Sequence, residues 1–281
     1  MRGLLGGLLR LSNPGGLNQQ WKHPEELRAP AFRMIGNVYY VGNLNVSSHV
    51  IVGQAGHVLI DTGFSTTVPL LVQSIRHLGF KERDVRMILI THGHVDHAGG
   101  ARRMARITGA PVAVHRRDVR TVETGSELTC AHYIYGIEDF ETFKVDRVLE
   151  GGETLHVGDI VIKVHHTPGH TPGVCSYEIP LHHEGRKLTA FIFGGPGQWT
   201  FKQENRSQGY EGDVEEYSRS LDHLERIKVD IPLGAHPNQT RTFQKYEILK
   251  SNPAGPNPFV DPDHWPAFIG KLRASLASLR G

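Results

Sequence analysis

The chain has 281 residues, enough to bury one large core or two tightly joined halves. Its formal net charge is only +2 and 21% of its residues are charged, so it lacks the basic excess of a nucleic-acid binder or of a protein drawn to an anionic membrane. No run approaches the length needed to span a bilayer as a helix.

Residues 1–30, rich in Gly, Pro and Asn, read as an irregular N-terminal arm, and residues 31–281 as a single domain. The opening MRGLLGGLLRLSNPGG is interrupted by Arg10 and no small-residue cleavage site follows, so it makes a poor signal peptide. From Val38 the pattern is strand-like, in VYYV, SHVIV and HVLID. Val68, Leu71, Val72, Ile75 and Leu78 at helical spacing predict a helix that Gly79 stops. The strand RMILIT follows, then a histidine-rich loop, a short helix with Ala101, Met104 and Ile107, and the strand PVAVH. Residues 124–150 show no periodicity and read as a long surface loop. Strands resume with ETLHV, IVIKVHH, VCSYEI and LTAFIF. A helix carries Val214, Tyr217, Leu221, Leu224 and Ile227, a short strand DIPLG follows, and Trp265, Phe268, Ile269, Leu272 and Leu276 share one face of a last helix. Strands and helix followed by strands and helix, with no linker between, fit two sheets sandwiched between helices.

The 18 histidines are the outlier in the composition, and three of them stand with an aspartate in THGHVDHAGG. His92 and His94, two apart on extended chain, point the same way. Asp96 and His97 follow as the chain turns into a helix and project to a neighbouring point. One metal ion held by the first pair and a second by Asp96 and His97 would explain the grouping, with glycines at 93, 99 and 100 letting the backbone turn around them. Each ion in a hydrolytic site wants about three protein ligands and an open position. His170, in HHTPGHTPG, and His236, in LGAHPN, both follow strands and complete two sets of three. His165 and His166 belong to a strand and read as packing residues or as supports behind the ligands; His182 and His183, in LHHEGRK, read as a solvated turn. His49, His57, His115, His132, His156, His223 and His264 have no ligand-like setting. The two cysteines are too far apart for a CxxC pair, and Cys175 reads as a small buried strand residue.

THGHVDHAGG, LIDTG, TPGHTPG and GAHP together resemble the ordered motifs of the metallo-β-lactamase fold superfamily. GNVYYVGNLNVSSHVIV, the LGF ending the first helix and the late NPFVDP are similar to class B, subclass 3 metallo-β-lactamases, and the resemblance runs from about Trp21 onward. It implies an α/β fold, an αββα sandwich of two mixed sheets, and a zinc-dependent hydrolase with two Zn2+ per chain. His92, His94 and His170 would hold one zinc and Asp96, His97 and His236 the other, with Asp61 orienting the ligand loop from behind. The implied reaction opens the amide of a β-lactam by attack of a dizinc-bound hydroxide, Asp96 helping to move the proton. Many lactonase- and glyoxalase-like members carry a bridging aspartate where this chain has Gly194 and Gly195, a departure shared with the subclass 3 enzymes.

Substrate choice would lie with residues 124–140, the loop GGPGQWTFKQENRSQGY and the arm with Trp21. Gln198, Trp199 and Tyr210 are the candidate substrate contacts; Lys202 and Arg206 are candidates for the carboxylate of a β-lactam but read more readily as exposed charge, and Ser47, Ser48 and Ser207 read as turn or surface residues. The expected partner is a small-molecule substrate, with neither nucleic acid nor membrane, and the oligomeric state is open. The family's antibiotic-resistance role would place the enzyme in the periplasm or outside the cell, the weak leader in the cytoplasm. The competing readings are a related hydrolase of lactones or thioesters with weak or no β-lactamase activity, and a non-catalytic zinc-binding protein.

Overall fold

A computed structural model describes residues 20–202 and 212–279. Seven strands form the first sheet in chain order: β1 (Phe32–Ile35), β2 (Val38–Tyr40), β3 (His49–Gly53), β4 (Gly56–Ile60), β5 (Val85–Leu89), β6 (Val112–His115) and β7 (Arg147–Leu149). The first four pair antiparallel and the rest parallel. The second sheet runs β12-β11-β10-β9-β8, with β8 at Thr154–Val157, β9 at Ile160–His166, β10 at Cys175–His183, β11 at Arg186–Phe193 and β12 at Ile231–Gly234. Only its β11–β12 pair is parallel.

The helices that cover these sheets are α1 (Val68–His77), α2 (Val95–Ala98), α3 (Ala101–Thr108), α4 (Arg116–Thr124), α5 (Ala131–Tyr135), α6 (Val214–Glu225), α7 (Thr242–Ser251) and α8 (His264–Ser278). Strand alternation decides what each covers. Met87 and Leu89 of β5 face inward with Val58 and Ile60 of β4, and meet Val164, Tyr177 and Ile192 of the second sheet. Ile88, on the other face of β5, meets Val68, Leu71 and Ile75 of α1 and Met104 of α3, and Val85 joins it where the β4–β5 register shifts. Phe191 and Phe193 on the outer face of the second sheet receive Tyr217, Leu221 and Leu224 of α6 and Trp265 and Ile269 of α8. The result is helix, sheet, sheet, helix. From Met87 onward β5 is covered on both faces, and there it reads as an apolar run, as buried parallel strands do.

Several local expectations need correction. Residues 124–150 are not one surface loop: they hold a 3-10 turn (Glu127–Thr129), helix α5 and the edge strand β7, with Cys130 and Ala131 buried. The described end of the N-terminal arm is ordered as two 3-10 turns, Gln20–Lys22 and Pro24–Leu27, and Leu27 is buried. Ser47 and Ser48 are buried rather than at the surface, and the Ser47 N–H donates to the Ala235 carbonyl at 2.9 Å. Strand β10 continues through His183, which pairs with Arg186, so His182 and His183 are strand residues and only Glu184 and Gly185 turn. No described helix is long and apolar enough to cross a membrane.

Candidate metal centre

The site lies where strands of both sheets end on the same side of the sandwich. After β4 the chain turns through Asp61, at φ +59°, a left-handed conformation uncommon for a residue with a side chain. Three donors hold it there. Its Oδ1 accepts from the Thr91 N–H at 2.8 Å, and its Oδ2 from the Thr91 hydroxyl at 2.8 Å and from Nδ1 of His97 at 2.8 Å. Asp61 thereby fixes both ends of the loop after β5, whose extended portion carries His92 and His94 and whose first helical turn, α2, carries Asp96 and His97. His170 follows β9 and His236 follows β12.

Hydrogen bonding settles the tautomers of four of the five histidines. The Thr91 hydroxyl spends its proton on Asp61, so its contact with Nδ1 of His92 at 3.1 Å requires the ring to donate. Nδ1 of His170 meets the Gly197 carbonyl at 2.7 Å, and Nδ1 of His236 meets the Asn45 carbonyl at 2.8 Å; a carbonyl only accepts, so both rings donate. His97 donates to Asp61 in the same way. Each of these rings keeps Nε2 as a lone pair. His94 instead turns Nδ1 toward Nε2 of His92 at 3.1 Å.

The lone pairs converge as two sets. In His92, His94 and His170, and again in Asp96, His97 and His236, one ligand atom per residue lies within 4.8 Å of the others. Nε2 of His97 and of His236 are 3.3 Å apart, and Oδ2 of Asp96 lies 3.5 Å and 3.7 Å from them. Burial, reinforced by the neighbouring rings, holds His92 and His94 well below the usual histidine value. Burial likewise pushes His170 down to about 3 and lowers His236. His97 moves the other way: burial opposes its charge, but Asp96 and Asp61 outweigh it and raise the value. Five imidazoles, four of them oriented through their outer nitrogens, and one carboxylate are a donor set suited to divalent cations. The residues fit two such ions with three ligands each.

Both sets open on a cleft of about 490 Å³. Ile134 and Tyr135 of α5 form one wall, Gly194 to Gly197 and Trp199 the other, and Asn45, Asn238 and Gln239 a polar margin beside His236. The Trp199 ring lies 5.4 Å from His94 and 5.6 Å from His170. Gly195 comes so close to the chain entering β10 that a Cβ there would meet Val174 at 2.7 Å, which leaves no room for a bridging side chain without local movement.

Of the substrate contacts expected from sequence, Trp199 lines the cleft. Gln198 does not: its Nε2 donates to the Leu272 carbonyl at 2.7 Å, which turns it away to α8. Tyr210, Arg206 and Ser207 lie outside the described residues, and Lys202 is exposed and apart from the lining. Trp21 is not in the lining either; its Nε1 donates to the Tyr135 carbonyl at 2.6 Å and props α5 from behind. Sequence reasoning missed Asn45, Asn238 and Gln239, and it missed the carbonyls that orient His170 and His236. Every residue has a carbonyl, so no residue type could have signalled those two.

A family model described as the metallo-beta-lactamase superfamily matches residues 41–183. Among solved structures, the native metallo-beta-lactamase FEZ-1 from Legionella gormanii is 32% identical, with a TM-score of 0.82 over 90% of this chain and 95% of that one. BJP-1, a subclass B3 metallo-beta-lactamase of Bradyrhizobium japonicum, is 28% identical, with a TM-score of 0.81 over 90% and 94%. A probable metallo-hydrolase of Burkholderia pseudomallei is 33% identical over 125 residues, and a hydroxyacylglutathione hydrolase of Anaeromyxobacter dehalogenans 35% over 104. Those matches cover 43% and 37% of this chain but only 40% and 31% of the two relatives' own lengths.

Proposed function

The chain belongs to the metallo-β-lactamase superfamily, a family of hydrolases, and from that premise we propose that it is a zinc enzyme that opens the amide of β-lactams. The observation that carries the reading is a pair of three-ligand sets with glycine where a bridging carboxylate would stand, set in a fold shared along nearly its full length with β-lactamases. His92, His94 and His170 would hold one ion and Asp96, His97 and His236 the other. When bound, the ions supply Lewis acidity toward the carbonyl oxygen and lower the pKa of water at the cleft.

The chain's own residues do the rest. Asp96, lining the cleft, is the carboxylate placed to take the proton from the attacking water. Trp199 covers the His94 and His170 rings and keeps bulk water from that face. Asn45, Asn238 and Gln239 offer neutral amides to orient the polar side of a substrate, and Ile134 and Tyr135 an apolar wall to its substituent. An open cleft over both ligand sets speaks against a purely structural zinc protein, whose site would be closed.

The likeness to a hydroxyacylglutathione hydrolase favours a second reading, a thioester or lactone hydrolase, against which the glycines at 194 and 195 weigh. Hydrolysis of a chromogenic cephalosporin by the zinc-loaded protein, run beside a thioester and a lactone panel, separates the two. The proposal expects the cephalosporin to be turned over fastest. Turnover confined to thioesters or lactones transfers the function to the second reading.

A further inference from the structure

The loops that carry His92, His94 and His170 are both tied to one buried side chain that the chemistry above does not use. Asp118, in the first turn of α4, is 1% exposed. Its Oδ2 accepts from the Gly93 N–H at 2.8 Å and from the Thr171 hydroxyl at 2.9 Å, and its Oδ1 from the Gly173 N–H at 2.8 Å. Gly93 stands between His92 and His94, and Thr171 follows His170. Asp118 forms no ion pair with a described residue; these three donors offset part of the cost of burying its charge, and burial still holds the carboxyl above the usual carboxylate range. If either loop shifts, part of that charge is left uncompensated.

The fit is close. A Cβ on Gly173 would lie 2.5 Å from Cγ of Asp118, so only glycine lets that backbone reach the carboxylate. On the ligand side, a space of about 10 Å³ is lined by Asp118, His94, His170, Thr121, Thr171 and Thr200 among others. That is room for about one water.

We propose that Asp118 is a positioning residue for the His92/His94/His170 set, a carboxylate clamp that fixes the separation of its two loops. The inference rests on the reading that these three histidines hold a metal. An asparagine at 118 has nearly the same shape but one acceptor oxygen and an amino group in place of the other. Thr171 can turn its hydroxyl to meet that amino group, but a backbone N–H cannot, so Gly93 or Gly173 is left facing a donor.

The test is a Co2+ titration of the metal-free protein, read by visible absorption and chelator competition, on wild type, Asp118→Asn and Thr171→Val. Asp96→Ala protein, in which the three-histidine set alone is intact, assigns the steps. Loss of an outer-shell partner commonly weakens metal binding about 10- to 100-fold. The clamp predicts a loss of that size in the three-histidine step of Asp118→Asn, with the other step held within about 2-fold. Thr171→Val, which removes one donor, should shift the same step by less. Should Asp118→Asn fail to fold, as read by circular dichroism, the Thr171→Val titration decides alone. Two normal steps in both variants, or equal weakening of both steps, would overturn the clamp and leave the dinuclear reading standing. A wild-type chain that binds no Co2+ would overturn both.

Discussion

Asp61 shows how one side chain can govern the orientation of a candidate metal ligand. Its carboxylate dictates that His97 carries its proton on Nδ1, which leaves Nε2 for the metal. Asparagine tolerates the left-handed backbone at this position and still accepts from the Thr91 N–H, but it offers an amino group to His97. Asp61→Asn should therefore fold normally and weaken the Asp96/His97/His236 set by about 10- to 100-fold, read by metal titration. His94→Ala and Asp96→Ala should each abolish hydrolysis with near-native circular dichroism; full activity of either after metal removal would contradict the dinuclear assignment. The titrations also carry a sign. His97 is raised while His92, His94, His170 and His236 are lowered, so as pH falls a proton competes for His97 first. As pH falls, metal affinity of the Asp96/His97/His236 set should therefore fall before that of the three histidines, read by metal titration at a series of pH values. The six residues that the fold gathers into two clusters were legible because HxHxDH and two strand-end histidines are chemically loud. Gln198 misled because a side chain's direction in an irregular loop depends on the backbone around it, and here that backbone turns it to α8.

Among the elements, the ones the sequence announces are those whose burial is regular. Helix α1 buries Val68, Leu71 and Ile75 at the spacing of one face, and β4 and β5 alternate between two cores. Helix α5 escapes because five residues are too short for a period to register, and because it is held by tertiary contact. Ala131 packs with Val46, Phe64 and Val95, and Trp21 reaches in from the N-terminal side. A hydrogen bond of this kind contributes about 1 kcal/mol. If α5 is a wall of the cleft, Trp21→Ala should raise KM by about 5-fold with little change in kcat, the equivalent of that energy in substrate binding. A second element, α7, is anchored by Lys245, whose buried ammonium lies 2.9 Å from Asp261. Asp261→Asn would strand that charge. Since Asp261 is itself partly exposed, the expected loss is on the order of 2 kcal/mol, below the range for fully buried pairs, and urea unfolding measures it.

In the molecule as a whole, each ligand set crosses the sandwich. His92, His94, Asp96 and His97 follow a strand of the first sheet, whereas His170 and His236 follow strands of the second. A metal in either set therefore adds a tie between two layers that also meet through the apolar core and through hydrogen bonds such as that from the Cys175 N–H to the Thr91 carbonyl. Ligand bound only to the folded state stabilises it by mass action, about 4 kcal/mol per site at a free concentration a thousand times Kd. Thermal unfolding should thus shift upward with added zinc and downward with chelator, and the Asp96→Ala variant should lose part of the shift. Local periodicity suggested the strands and helices but not which sheet each strand would join. The sandwich was legible through the likeness of the ordered motifs, because pairing between distant strands leaves no mark in any one segment.

The most direct measurement is the rate of cephalosporin hydrolysis by chelated protein as zinc is returned, plotted against zinc bound per chain. The dinuclear β-lactamase assignment predicts no turnover without metal and a rate that rises until two equivalents are bound. Turnover that survives chelation would contradict the metal chemistry. Two bound equivalents without cephalosporin turnover would contradict the substrate.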